Sequence, residues 1–351
     1  MNKTMVADLR TGMKLAESIF SDNKQILVAE GTLLTESIIN RLQEIKRHVY
    51  IYDENTIEAD PGEVLTNRVL ANTLNKLHTY LPFELYPESD NQVNEKFERL
   101  NKLLQIIISH PMVADFLLDL RTIDELSLEH SLNVCVFSLL IGAGLELPES
   151  LMVYLGKGAI THDIGKMSLP IEIRGNFNNL SPKDQLVYKE HTNNGYRLLR
   201  EKGFESQVAK VALYHHERWD GGGYPTKLEG EKIDLLSRIV NIADVYDNLT
   251  STLADTSYLP HEAIEYLYGA GDMYFDARIV RAFIYNVAIY PLGSIVKLST
   301  GEVGIVVNVA KNISSRPIVK ICYDKENQKL KYYHQKDLYQ EKTVFITKVL
   351  L

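Results

Sequence analysis

Apolar residues recur at helical spacing through the middle of the chain, which predicts a large helical region. They lie three or four positions apart in 64–77 and again in 132–140. In 295–307 the pattern changes to short apolar runs separated by glycine, which is typical of β-strands. The sequence therefore predicts a helical domain at 61–288 and a small β module at 289–351.

The first 60 residues combine both kinds of pattern. Apolar runs at 26–28 and 49–52 are typical of strands, and the amphipathic stretch at 37–45 between them is typical of a helix. An acidic, loop-like segment at 53–62 follows. We therefore expect a small α/β module at 1–60 and a mainly α protein overall.

Composition excludes several classes of protein. The 45% hydrophobic and 24% charged residues are ordinary for a soluble globular chain, and the formal net charge of -8 argues against binding a DNA or RNA polymer. Cys135 and Cys322 are too few and too far apart for a disulfide framework. With no signal peptide pattern and no window near the ~20 apolar residues of a membrane span, we expect a cytoplasmic protein.

Adjacent histidines at the end of an amphipathic segment are the strongest sign of chemistry. His215 and His216 precede Asp220 and the glycine run 221–223, which continues into Tyr224 and Pro225. A flexible turn with exposed histidines is the ordinary alternative, and it explains this order of residues less well than a metal site does.

A second histidine ends another apolar segment. His162 and Asp163 follow 151–160, where a core histidine beside a capping aspartate is the ordinary interpretation of such a pair. His191, and His130 before the helix predicted at 131–141, are each more often surface or capping residues when taken singly. Their joint occurrence favours a binuclear centre in which the Asp163 carboxylate bridges two metals.

Two carboxylates lie in the apolar helix predicted at 239–249. Asp244 and Asp247 are spaced to share one face, where a carboxylate is costly unless it is paired or bound to a metal. We expect Asp247 to be a metal ligand. Asp244 is expected to orient a ligand imidazole, with a structural hydrogen bond as the alternative.

In order and spacing these elements resemble the HD-GYP domain, a branch of the HD metal phosphohydrolases, over about residues 100–285. The resemblance implies an HD-type helical bundle with two or three metal ions, usually iron or manganese, that hydrolyses cyclic di-GMP to pGpG or GMP. It implies the metal ligands His130, His162, Asp163, His191, His215, His216 and Asp247.

The resemblance also implies substrate contacts. Lys166 and Tyr224 match residues near the substrate phosphate and guanine, and the predicted substrate-binding set is Lys166, Gly223, Tyr224, Pro225 and Thr250. Two metals would polarise the phosphodiester and provide a hydroxide for attack. Asp163 and Lys166 are the predicted catalytic residues, with Asp244 and Asp220 as supporting residues, although a solvated surface lysine is the ordinary alternative for Lys166.

The chain departs from the family pattern at two places. Leu126 stands where some members have the glutamate of a third metal, so we expect two divalent ions, most often Fe and alternatively Mn, with Glu125 and Glu129 flanking the position. The family's basic run after the last aspartate is missing, because Asp247 is followed by uncharged residues as far as Ala254.

Two functions therefore stay open. The first is an active phosphodiesterase acting on cyclic di-GMP or a related cyclic dinucleotide. The second is a metal-binding module with altered substrate or no catalysis, which acts as a nucleotide sensor or interaction protein. Intact metal ligands favour the enzyme. The terminal modules suggest a homodimer or signalling-protein partners.

Overall fold

A computed structural model describes residues 61–80, 90–123, 125–174, 177–251, 258–309 and 315–350, together with short stretches between 2 and 51. The chain divides into two compact units, residues 1–64 and 65–351. The mainly α fold class, with strands at both ends of the chain, is confirmed.

The helical region consists of consecutive helices joined by short connections. Their bounds are α1 Pro61–Tyr80, α2 Asp90–Ile108, α3 Pro111–Ile123, α4 Glu125–Gly144, α5 Glu149–Thr161, α6 Pro182–Lys189, α7 His191–Glu201, α8 Ser206–Tyr214, α9 Leu235–Thr250, α10 Pro260–Gly269 and α11 Ala277–Asn286. A 3-10 helix at Ile164–Ser168 follows α5.

Helix α4 runs through the core and packs against α5, α9 and α11. It begins at Glu125, so the prediction that the helix starts beside His130 is wrong, and His130 lies in its second turn. The helix is longer than predicted because its first turn is partly exposed, as at Leu126. This turn therefore lacks the helical spacing of apolar residues on which the prediction rests.

One described helix is long and apolar enough to cross a membrane. This is Leu126–Gly144, so the expectation that no window approaches the length of a membrane span is wrong here. The bent pair Glu95–Ile108 and Pro111–Leu120 would make a second such helix if it were one span. Two-thirds of the apolar window in Leu126–Gly144 is buried inside the protein. Core helices of soluble proteins have this length and composition.

The N-terminal unit contains two short antiparallel pairs. Strand β1 (Asn2–Met5) pairs with β4 (His48–Ile51), and β2 (Ile19–Phe20) pairs with β3 (Ile26–Val28). Residues 38–39 and 42 are helical, as predicted, whereas the remainder of the predicted helix 37–45 and residues 53–60 of the predicted loop lie outside the described residues. The prediction of a loop as far as residue 62 is wrong at Pro61 and Gly62, which begin α1.

The C-terminal strands form one antiparallel sheet in the order β8-β7-β6-β5-β9. The strands are β5 Ile295–Leu298, β6 Val303–Asn308, β7 Ile318–Tyr323, β8 Lys329–Asp337 and β9 Ile346–Val349. The apolar run 344–346 also predicts a strand, but the last strand begins only at Ile346, because Phe345 lies in the connection and its carbonyl accepts the Ser299 amide. Buried residues of this sheet and of the helices belong to one continuous hydrophobic core.

Candidate metal centre

Three buried imidazoles are held by the backbone of the helix turn that precedes them. Nδ1 of His162 lies 2.8 Å from the Ala159 carbonyl oxygen, and Nδ1 of His191 lies 2.7 Å from that of Tyr188. Nδ1 of His215 has carbonyl oxygens at 3.0 and 3.1 Å. Because a carbonyl only accepts, Nδ1 carries the proton and each Nε2 lone pair is left to face the interior.

These Nε2 atoms converge on one carboxylate. Asp163 Oδ2 lies 3.3 Å from His162 Nε2, and Asp163 Oδ1 lies 3.5 Å from His191 Nε2 and 3.7 Å from His215 Nε2. Two groups of donor atoms result, and Asp163 belongs to both: Asp163 with His191, His215 and His216, and Asp163 with His130 and His162.

Several of these atoms lack a hydrogen-bond partner although they are buried. They are His162 Nε2, Asp163 Oδ1 and His216 Nε2. The Nε2 atoms of His191 and His215 also lie 3.5 Å apart with their lone pairs turned inward. A buried donor set of imidazole and carboxylate that is short of partners fits divalent cations well.

His130 lies between two aspartates of α9. Its Nδ1 is 2.7 Å from Asp247 Oδ2, and its Nε2 is 3.1 Å from Asp244 Oδ1. Asn133 donates to the other Asp247 oxygen at 2.8 Å, whereas Asp244 Oδ1 lies 3.8 Å from His162 Nε2. Asp247 thus orients an imidazole, and Asp244 is the carboxylate that faces the donor atoms.

The pKa values of Asp163 and Asp244 are lowered, whereas the pKa of His130 is raised. Burial lowers the pKa of His130, but Asp244 and Asp247 outweigh it and raise the pKa to about 10, so a metal ion bound at Nε2 would have to displace a proton. Burial raises the pKa of Asp163, yet Lys166 and His162 hold it well below its usual value. Burial likewise raises the pKa of Asp244, but His130 and His162 outweigh it and lower the pKa, so Asp163 and Asp244 stay ionised, as metal ligands must.

On the other side of Asp163 the imidazoles of His191 and His216 are neutral. Burial lowers the pKa of His191 to about 3, and burial together with His215 holds the pKa of His216 well below its usual range. Neutral imidazole is the form that binds a metal ion.

Lys166 lies at the centre of the site rather than in solvent. Its Nζ contacts Asp163 Oδ2 and is 5.4 Å from the centroid of the Tyr188 ring. Burial lowers the pKa of Lys166, but Asp163 outweighs it and raises the pKa. The surface-lysine alternative is therefore wrong.

The segment after His216 is held by a buried glutamate. Glu217 accepts the amides of Thr226 and Leu228 at 2.7 and 3.1 Å, and the Thr226 hydroxyl at 2.8 Å. A Cβ on Gly223 would meet the backbone at 2.4 to 2.6 Å, so only glycine allows this close approach. The loop brings the Tyr224 ring to 4.8 Å from that of His216.

Other predicted residues have different surroundings. Asp220, predicted as a supporting residue, pairs with Arg218 and accepts the Gly222 amide at 2.8 Å. The Thr250 hydroxyl donates to the Tyr246 carbonyl of its own helix at 2.8 Å. Pro225 follows Tyr224 through a cis peptide bond.

Glu125 and Glu129, which flank Leu126, are the candidates for a ligand to a third metal ion. Glu129 is paired with Lys76 at 2.8 Å and its side chain is 59% exposed, so it points away from the donor groups. The side chain of Glu125 lies outside the described residues.

A cavity of about 340 Å³ adjoins the donor groups at His216 and Tyr224. Its further lining includes four aromatic residues and two basic ones: Phe177, Tyr266, Tyr274, Phe275, Lys189 and Arg218. The aromatic residues come from segments outside the predicted motifs, whereas Lys189 and Arg218 each stand two positions from a predicted ligand and were given no role by sequence reasoning.

Comparison with known families agrees with this geometry. Residues 117–279 match the HD domain, and residues 295–351 match a KOW domain associated with the HD domain.

Named relatives share the helical region. A cyclic di-GMP phosphodiesterase of Pseudomonas aeruginosa is 35% identical over 219 residues, which are 62% of this chain and 53% of that one. The cyclic di-GMP phosphodiesterase response regulator RpfG of Xanthomonas campestris is 36% identical over 148 residues, 41% of this chain and 39% of that one. This chain thus spans about half or less of these relatives.

Among solved structures, an HDG"Y"P protein from Bdellovibrio bacteriovorus aligns over 80% of this chain and 97% of its own. The TM-score is 0.44 and the sequence identity 18%.

Proposed function

We propose, from the premise that this chain belongs to the HD-GYP group of HD domain proteins, that it is a metal-dependent phosphodiesterase. Its proposed substrate is cyclic di-GMP, and its products are pGpG, GMP or both. The observation that carries the proposal is the Asp163 carboxylate, which is shared by two groups of inward-facing imidazoles.

Seven side chains would hold two divalent ions. We retain the six predicted ligands before α9 and propose Asp244 in place of Asp247, because Asp244 faces the other donors. The set is His130, His162, Asp163, His191, His215, His216 and Asp244. Mixed imidazole and carboxylate donors suit iron, or alternatively manganese, better than magnesium.

The protein would contribute positioning and charge. When bound, the ions would polarise the phosphodiester and lower the pKa of water. Lys166, beside Asp163, would neutralise a phosphoryl oxygen. The Tyr224 ring, packed on His216, would form one wall of the substrate site with Gly223 and Pro225.

Lys189 supports an active enzyme despite the missing basic run after Asp247. Its Nζ lies 5.1 Å from the centroid of the Tyr224 ring and 5.8 Å from that of Phe177, at the cavity next to the donor groups. A cation from α6 would thus take over the charge that the family supplies from the segment after its last aspartate.

The test is purification without oxygen, measurement of bound iron and manganese, and assay of cyclic di-GMP hydrolysis. Asp163→Ala should lose both metal and turnover, because it removes a donor from both groups. Asp115→Ala, an exposed aspartate on α3, is the matched control. Full metal occupancy without turnover of any cyclic dinucleotide would refute the enzyme, and turnover unaffected by Asp163→Ala would refute the site.

We further propose that the protein acts in the cytoplasm, consistent with its two free cysteines. From the pattern of apolar residues along the chain, we propose domains at 1–60, 61–288 and 289–351. We propose that the terminal modules mediate dimerisation or contact with signalling proteins.

A further inference from the structure

The aromatic cavity beside His216 has the size and lining of a nucleoside site. Its volume of about 340 Å³ falls at the lower end of small-molecule pockets, which suits one half of a dinucleotide. The rings of Tyr224, Tyr266 and Tyr274 contribute to its wall, and nucleobases stack on aromatic side chains irrespective of sequence. Aromatic stacking alone would not distinguish one purine from another.

Arg218 is fixed at this wall by two neighbours. Its guanidinium carbon lies 3.6 Å from the centroid of the Tyr274 ring, which is stacking distance. Its Nε donates to Asp220 Oδ1 at 3.1 Å and its Nη2 to Asp220 Oδ2, so one edge of the fork is held by a carboxylate. Asp220 is itself fixed by the Gly222 amide.

This arrangement leaves a defined edge for a ligand. A guanidinium has five N–H donors, and Asp220 accepts from those on the edge formed by Nε and Nη2. The Nη1 side is turned away from Asp220, and the arginine side chain is still 37% exposed. A stacked, preoriented arginine loses little entropy on forming a bidentate contact.

We propose that Arg218 recognises guanine in this cavity and makes the enzyme prefer guanine over adenine dinucleotides. Guanine presents the acceptors O6 and N7 on one edge, which match two guanidinium N–H donors, whereas adenine presents an amino group at the same place. Tyr274 supports the guanidinium plane and Asp220 sets its rotation. The inference rests on the proposed function, because it concerns the substrate of that site.

The test compares kcat/KM for cyclic di-GMP and cyclic di-AMP in the metal-loaded full chain. Arg218→Lys keeps the charge but loses the fork, so the preference for the guanine substrate should fall by about 5- to 100-fold. Arg218→Ala should lose it as well. Arg197→Ala, an exposed arginine on α7, is the matched control and should keep the preference.

A purely structural role for Arg218 predicts a different result. Both substitutions would then lower kcat/KM for the two substrates by the same factor, and this outcome would overturn the inference. A wild-type enzyme without preference for guanine would overturn it too.

Titration of GMP and AMP into the Mn²⁺-loaded protein by calorimetry separates this inference from the proposed function. If no cyclic dinucleotide is hydrolysed, tighter binding of GMP than AMP that is lost in Arg218→Lys still supports the guanine site. Equal affinities in the wild type and the variant would refute it.

Discussion

Nδ1 of His130 lies 2.7 Å from Oδ2 of Asp247, while Nε2 of the same imidazole faces Asp244. The aspartate that the sequence assigned to the metal therefore contacts the imidazole of His130, which is itself a proposed ligand. Such contacts fix the tautomer and direction of an imidazole and raise its basicity.

The two aspartates should consequently differ in their effect on metal binding. Asp247→Asn should weaken metal affinity by about 10- to 100-fold, because His130 loses its charged partner. Asp244→Asn should abolish binding at the His130 side of Asp163, since a donor is removed. The check is the metal content per chain, measured at several free metal concentrations. A smaller loss of metal in Asp244→Asn than in Asp247→Asn would return Asp247 to the ligand set.

Gly165 should be as important to the site as a ligand. A Cβ there would lie 1.9 Å from the His191 carbonyl oxygen and 2.5 Å from the Gly195 amide nitrogen, and backbone cannot yield as a flexible side chain does. Gly165→Ala should therefore push the 3-10 helix away from α7 and lower metal affinity at least tenfold. Gly269→Ala is the control, because its new Cβ would meet nothing within 4 Å. Unchanged metal content in Gly165→Ala would contradict the prediction.

Glu217 should stabilise the loop that carries Tyr224. In Glu217→Gln the side-chain amide nitrogen, which is a donor, would face backbone amides that are also donors. We expect this substitution to lower the free energy of unfolding by about 1.5 to 3 kcal/mol. Denaturant unfolding measures the change, and faster hydrogen exchange at Thr226 and Leu228 would localise it. Glu229→Gln, in an exposed residue of the same loop, should have little effect. Equal effects of the two substitutions would refute the role of Glu217.

Asp276 should make stability depend on acid pH. Burial raises the pKa of this carboxyl, but Arg278 and Arg238 outweigh it and hold the pKa below its usual value. A depressed folded-state pKa contributes stability above the unfolded value of about 4 and loses it as the pH falls through the folded value.

Asp276→Asn should thus cost about 2 to 3 kcal/mol at pH 7, and the difference from wild type should narrow below about pH 4. Urea unfolding at several pH values checks this, with Asp115→Asn, an exposed aspartate, as the control. A difference that stays constant down to pH 3 would show that the lost charge is not its cause.

Much of the site was predictable, because the amphipathic helical segments end directly before the proposed ligands. His162 follows the end of α5, and His215 with His216 follows the end of α8. The roles proposed for Asp244 and Asp247 were not predictable, because spacing places both on one face and only the position of His130 distinguishes them. The stack of Arg218 on Tyr274 joins residues far apart in the chain, and no local pattern reports such a contact.

The continuous core has a consequence for how the chain can be divided. Tyr290, next to the predicted boundary at 289, is 1% exposed, and Val296 and Ile321 of the sheet are completely buried in the same core as the helices. A shortened chain that ends at residue 288 would expose apolar surface to solvent, which would promote aggregation. Expression of the catalytic region by itself therefore calls for retention of the sheet, and fusion partners are better attached beyond it.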